Sequence, residues 1–253
     1  MTLLRSLALA FSLFSRIPMP QVEWNEKNLR YLMAAFPAVG IVIGGCVYAW
    51  CRLAAVIGLQ APLVAVGITL IPVAITGGIH LDGFADVVDA RSSHAEPERK
   101  LQIMKDPHVG AFAVIGICGY LMLYAALAME VGENHLVLLA CIPVFSRCLS
   151  SYATVSLRKA RKDGMLVEEG GTDHAKAVLL ALLACSCLTT IVATALDGLL
   201  CIGVVAIAIV TLLLTYRMAK REFGGMTGDL AGYTLQLAEL SMLAVVALMG
   251  RLV

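Results

Sequence analysis

The sequence predicts an all-α integral membrane protein of about seven transmembrane helices, preceded by an N-terminal interfacial or re-entrant helix. Three observations carry this expectation. Hydrophobic residues make up 60% of the 253 and charged residues 15%, with a mean hydropathy of +0.86, against roughly 45–50% and 25% in soluble domains. Seven apolar runs approach the roughly 20 residues a helix needs to cross a hydrocarbon core. Lys and Arg fall almost entirely in alternate connections between those runs, the mark of cytoplasmic loops. A soluble enzyme is excluded. A formal net charge of +1 gives nucleic acid no basic surface to bind, so the expected partner is the lipid bilayer, around one polytopic domain spanning 1–253.

The elements follow in chain order. Residues 3–20, LLRSLALAFSLFSRIPMP, begin like a signal peptide, but Arg16 and two prolines stand where a small-residue cleavage site belongs. An amphipathic helix lying in or dipping into the interface is expected instead. The spans are 32–57, 61–79, 109–129, 135–157, 175–196, 198–216 and 230–249. Pro37, Gly40, Gly44, Gly45, Pro72 and Pro143 inside them suit membrane helices, whose neighbours re-satisfy freed backbone groups. The eight cysteines lie in apolar stretches without a CxxC pair, so they are read as small hydrophobes rather than disulfides or a zinc site.

Residues 1–30 hold four basic side chains, 80–108 four, 158–176 five and 217–221 three, which is sixteen of the nineteen. Connections near Gln60, at 130–134 and near Asp197 hold none. The N-terminus and the long polar loops are therefore expected in the cytoplasm, and the C-terminus outside.

The second span leads into Gly77-Gly78-Ile79-His80-Leu81-Asp82-Gly83-Phe84-Ala85-Asp86-Val87-Val88-Asp89. On a helix Asp86 lies roughly 40°, and Asp89 roughly 20°, around from Asp82, so the three carboxylates share one face. Anions that close repel unless a cation joins them. An all-oxygen set suits a hard ion such as magnesium, which keeps positions open for phosphate oxygens. The competing reading is a solvated acidic helix end. A second acidic segment, Phe223-Gly224-Gly225-Met226-Thr227-Gly228-Asp229, opens the last span. Its glycines allow backbone N–H groups to approach an anion, with the positive end of the following helix behind them, and Asp229 would share the membrane face of Asp82. A tight connection is the plainer alternative.

Arg16, Lys105 (beside Asp106) and Arg161 on that face could hold phosphates, although each taken alone reads as a positive-inside charge. Arg147 and Glu239 fall near mid-span, where an unpaired charge is expensive. Either they pair, or they face a substrate cavity. They also support a second class of function, an ion- or proton-coupled transporter. Against that class, the other acidic groups gather at one membrane face rather than at the midplane.

The segments GGIHLDGFADVVDA, RKLQIMKDPHVGAFAVIGI, SRCL, ARKDGM and FGGMTGD, with Glu239 ten residues on, resemble cobalamin synthase, the adenosylcobinamide-GDP ribazoletransferase family. The likeness runs from SRIPMP through Glu239. It implies a magnesium-dependent enzyme of the bacterial inner membrane, with its active site facing the cytoplasm. This family joins adenosylcobinamide-GDP to alpha-ribazole or its phosphate, forming adenosylcobalamin or its phosphate and releasing GMP. On this resemblance Asp82, Asp86, Asp89 and Asp229 are assigned to magnesium, with His80 or one of the carboxylates as general base. Arg16, Lys105, Asp106, Arg147, Arg161, Gly224, Gly225, Thr227 and Gly228 are assigned to substrate. A homo-oligomer, or association with other late enzymes of the cobalamin pathway, would be compatible with it.

Overall fold

A computed structural model describes residues 2–160 and 172–252, and these form helices without a β-sheet. α1 (Thr2–Phe14) and the single turn α2 (Glu26–Leu29) precede α3 (Leu32–Ile57). At 13 residues α1 is too short to span. It packs Leu9 and Ala10 against Leu32 and Met33, exposes Leu3 and Leu4, and is tied to α2 by the Ser6 hydroxyl, which donates to the Asn28 carbonyl at 2.7 Å. A short helix thus stands where the sequence predicts an interfacial or re-entrant one.

α3 crosses α8 (Leu136–Ser156) at near backbone contact. A Cβ added at Gly44 would lie 2.0 Å from the Ala140 carbonyl oxygen, and one at Gly40 2.5 Å from that of Pro143. Glycines one turn apart give the close crossing that membrane helices use in place of a hydrophobic driving force.

α4 (Ala61–Thr76) ends earlier than the sequence suggests. Gly77 and Gly78 both take left-handed backbone (φ 67 and 84), and α5 (Ile79–Ser92) leaves at 96°. Two consecutive positive φ values are tolerated because neither residue has a Cβ. The acidic motif is therefore not an extension of the second span, as expected, but a separate helix bent away from it. α6 (Pro97–Ile103) leads to α7 (Ala111–Ala128).

α9 (Thr172–Phe223) has 52 residues, about 78 Å if straight, far beyond a bilayer core. Gly198 breaks it with non-helical φ 40, ψ −113. Across that break the Cys201 Sγ lies 3.9 Å from the Thr190 carbonyl oxygen, where an unbroken helix would separate eleven residues by about 16 Å. The chain reverses there, giving antiparallel legs 172–197 and 199–223. These match the fifth and sixth expected spans, with one correction: the second leg continues to Phe223, so Arg217, Lys220 and Arg221 ride on helix rather than loop. α10 (Gly228–Met249) closes the fold.

Among the described residues five helices are long and apolar enough to cross a membrane, and the bent α4–α5 pair adds a sixth. Counting the two legs of α9 separately accounts for the seven expected apolar segments. The main core, including Phe36, Ile43, Leu138, Leu200, Leu230 and Met242, runs between them.

The two ends of the bundle differ. At one, His135 in a 3₁₀ turn pairs through Nδ1 with Asp197 Oδ1 (2.5 Å) and through Nε2 with the Gly250 carbonyl (3.1 Å), fastening the α9 turn to the end of α10. At the other, Ala160 N–H donates to the Met226 carbonyl (2.9 Å) and Met226 N–H to that of Arg158 (2.8 Å), while Arg16 N–H donates to that of Ile75 (2.7 Å). That second end carries the acidic residues.

Candidate active site

α5 presents Asp82, Asp86 and Asp89 on one face and packs with its other side on α10. A Cβ at Gly83 would stand 3.0 Å from the Asp229 Cα, and one at Gly232 would stand 3.3 Å from the His80 carbonyl oxygen. Phe84 stacks on Tyr233 with centroids 5.3 Å apart and planes 14° apart. The absence of a side chain at Gly83 thus lets the first turn of α10 reach the carboxylate helix. Asp229 sits in that turn, and the Thr227 hydroxyl caps it by accepting from Leu230 N–H at 3.2 Å. An acid there also suits the helix dipole.

The electrostatics of Asp86 report on this grouping. Burial first, then the negative charges of Asp82, Asp229 and Asp89 in that order, push its pKa up to about 6. Asp229 therefore joins the three carboxylates of α5, as the sequence suggests. Asp89 is the outlying member and has another task. It accepts the N–H of Ala113 at 3.3 Å in the first turn of α7, and a Cβ at Gly110 would lie 2.0 Å from its Oδ2. Asp89 thereby closes the start of α7, a role its spacing does not reveal.

Among the described residues no three His, Cys, Asp or Glu side chains are drawn together closely enough to hold a metal ion. The donor chemistry does fit a hard cation: the four groups are all oxygen donors on two touching helices, and their mutual repulsion adds to burial in raising Asp86. They would hold magnesium by converging from this arrangement.

His80 is buried, with Phe14 and Phe36 rings 5.9 and 5.4 Å away, and its Nε2 has no hydrogen-bond partner. It faces apolar rings, not solvent. Gly224 has positive φ (79), and Gly225 is pressed against the 158–160 segment, where a Cβ would meet the Arg158 carbonyl at 2.5 Å; Gly228 is exposed. The glycine turn is thus both a tight connection and an open helix start. Arg16 lies over the α4–α5 bend, where a Cβ on Gly77 would stand 2.5 Å from its Nε, so one cation is placed beside the start of α5. Lys105 and Asp106 are exposed, and Asp106 accepts from the His108 N–H (3.0 Å) and faces its Nδ1 (2.6 Å); no contact joins either residue to the carboxylates. Arg161 lies outside the described residues.

Arg147 and Glu239 form a buried ion pair. Arg147 also donates to Ser146 Oγ (2.9 Å) and to the Pro143 carbonyl (3.2 Å), and Ser146 donates to Glu239 (2.9 Å). The pair borders a small cavity with Thr69, Thr76, Tyr120 and Gln236. The mid-span charges that suggested a transporter thus satisfy one another. A set that sequence reading missed ties this end together: Glu222 accepts from Arg91 (3.2–3.3 Å) and Lys100 (2.9 Å), and Arg91 donates to the Tyr233 hydroxyl (3.0 Å). Separations above 120 residues left no periodic signal by which to find it.

Comparison with known proteins identifies the family. The family model described as Cobalamin-5-phosphate synthase matches residues 6–247. An Adenosylcobinamide-GDP ribazoletransferase of Lachnoclostridium phytofermentans is 36% identical over 94% of this chain and 91% of its own length. Proteins of the same name from Clostridium botulinum (32%, covering 94% and 95%) and Geotalea daltonii (31%, covering 98% and 100%) are similar throughout. No solved structure matches. With the family model covering nearly every helix, including both acidic segments, the chain belongs to the cobalamin-5-phosphate synthase family.

Proposed function

We propose that this chain transfers the phosphocobinamide group of adenosylcobinamide-GDP to alpha-ribazole or alpha-ribazole phosphate, at the cytoplasmic face of a bacterial inner membrane. The products would be GMP and adenosylcobalamin or its phosphate. The observation that carries this reading is the match of residues 6–247 to the family, together with the name shared by relatives similar over nearly their whole lengths. The grouping of Asp82, Asp86 and Asp229 at one end of the bundle supports it chemically.

In the reaction the ribazole hydroxyl oxygen attacks the phosphorus that bears cobinamide, and the bond from that phosphorus to the bridging oxygen of the pyrophosphate breaks, leaving with GMP. Phosphoryl transfer asks a protein mainly to position reactants and neutralise charge. Asp82, Asp86, Asp229 and Asp89 would hold magnesium, which supplies positive charge to the pyrophosphate oxygens. Arg16, beside the start of α5, adds a fixed cation within the same end, and the N–H groups of Gly224 and Gly228 with the Thr227 turn offer donors to a phosphate, whereas the Gly225 N–H is already given to the Ala219 carbonyl at 3.2 Å. The hydroxyl proton goes to a carboxylate rather than to His80, because His80 is closed between Phe14 and Phe36. Lys105, Asp106 and Arg161 are retained as candidates for substrate contacts that form on binding. Arg147 is spent on its buried pair with Glu239 and holds α8 to α10.

Purified protein incubated with both substrates tests this reading. Magnesium-dependent release of GMP, in step with a new corrinoid product by chromatography, is the expected result. Substrate consumption without GMP, or substrate flux into liposomes without product, would sink it.

A further inference from the structure

Both chain connections of α5 are bends. It enters through the Gly77-Gly78 bend and leaves through a turn in which His94 has left-handed backbone, φ 52. Its carboxylate face meets α7 through Asp89, its apolar side rests on α10 through Phe84 and Gly83, and its last turn is held by charge. Arg91, nine residues after Asp82, lies roughly 180° around the helix from it. There its guanidinium donates through Nε and Nη2 to Glu222, near the end of α9, and through Nη1 to Tyr233 of α10. Lys100 of α6 is buried except for 10% of its side chain, donates to the same Glu222 carboxylate and lies 5.7 Å from the Phe223 ring centroid. A buried ammonium requires a counter-charge, and Glu222 supplies it. One carboxylate thus fastens α5, α6 and α9, and through Arg91 it reaches α10, the helix that carries Asp229.

We propose that Glu222 is a positioning residue: through Arg91 and Lys100 it fixes the rotation of α5, and so aims Asp82 and Asp86 at Asp229. This inference rests on the reading of those carboxylates as the cation-binding and reacting end. Glu222 itself touches no reacting group.

The test uses the full chain in detergent and Mn²⁺ as the probe, with affinity read by electron paramagnetic resonance and fold by thermal midpoint. Glu222→Gln is expected to bind Mn²⁺ about tenfold more weakly, the scale on which residues supporting metal ligands act. It should also need correspondingly more magnesium for half-maximal GMP release, with KM for alpha-ribazole unchanged. His135→Ala, at the opposite end, serves as the destabilised control and should keep wild-type Mn²⁺ affinity at a lowered midpoint. Should the single variant misfold on its stranded ammonium, Lys100→Met with Glu222→Gln removes that charge. The weaker Mn²⁺ binding should persist there, because Arg91 has still lost Glu222 and keeps only the Tyr233 hydroxyl. Wild-type affinity in the folded Glu222 variants, or a loss no larger than that of His135→Ala, overturns the proposal. Failure of the wild-type chain to bind Mn²⁺ at all would instead overturn the metal reading beneath it, and is recognised before any variant is made.

Discussion

Asp86 stands where burial and three like charges act together, and its pKa of about 6 makes the site sensitive to pH near neutrality. The sign follows from linkage. An acid whose pKa is higher folded than unfolded binds more protons in the folded state between the two values, so stability falls as pH rises from about 4 to about 6 and the loss is complete above that. Part exposure of Asp86 discounts the effect to about 1 kcal/mol. The metal-free protein is therefore predicted to gain about 2–4 °C in thermal midpoint when the pH is lowered from 7 to 5. Asp86→Asn carries no charge at either pH, so it should be more stable than wild type at pH 7 without metal and lose that pH response. Identical pH profiles for the two proteins would assign the response elsewhere. The same repulsion that destabilises the empty cluster is what a bound cation would relieve.

At the scale of elements, the sequence made most helices legible because membrane spans need long apolar runs, and each of the seven expected runs holds a helix. The bend at Gly77-Gly78 was less legible: paired glycines announce a turn but not its direction, which depends on what α5 packs against. The carboxylate face was readable from helical periodicity because its members lie within one helix. Asp89 closing α7, Gly83 admitting α10 and Glu222 meeting Arg91 all depend on chain crossings, which no local pattern encodes. Arg147 and Glu239 fall between these cases: the cost of a lone charge left a pair or a substrate cavity as the two readings, and the structure joins α8 to α10 through the pair. Removing one leaves a buried charge behind, a loss of about 3–5 kcal/mol, whereas removing both is milder. Arg147→Met and Glu239→Gln are each predicted to lower the thermal midpoint in detergent, and the double variant to recover part of it. Additive losses would mean the pair is not coupled, and Arg147 would then be better understood as a substrate ligand at its cavity.

For the whole molecule the question is which end faces which compartment, and the fold sharpens what charge counting began. Contacts gather Arg16, Arg91, Lys100, the 158–160 segment and Asp229 at one end, and His135, Asp197, Gly250 and the Glu130–Arg251 pair at the other. Sixteen of nineteen basic residues belong to sequence segments assigned to the first end. Loops rich in Lys and Arg stay cytoplasmic during insertion, so the acidic cluster should face the cytoplasm, where a nucleotide-bearing substrate would be met and GMP released. In a cysteine-free background Ser93→Cys, just beyond α5, is predicted to react with a membrane-impermeant maleimide only after the cells are opened. Glu133→Cys, in the 3₁₀ turn at the other end, should react in intact cells. Labelling of Ser93→Cys in intact cells, with Glu133→Cys protected, would invert the molecule. That result would place the candidate active site in a compartment without a nucleotide pool, and would count against the proposed transfer as well as against the orientation.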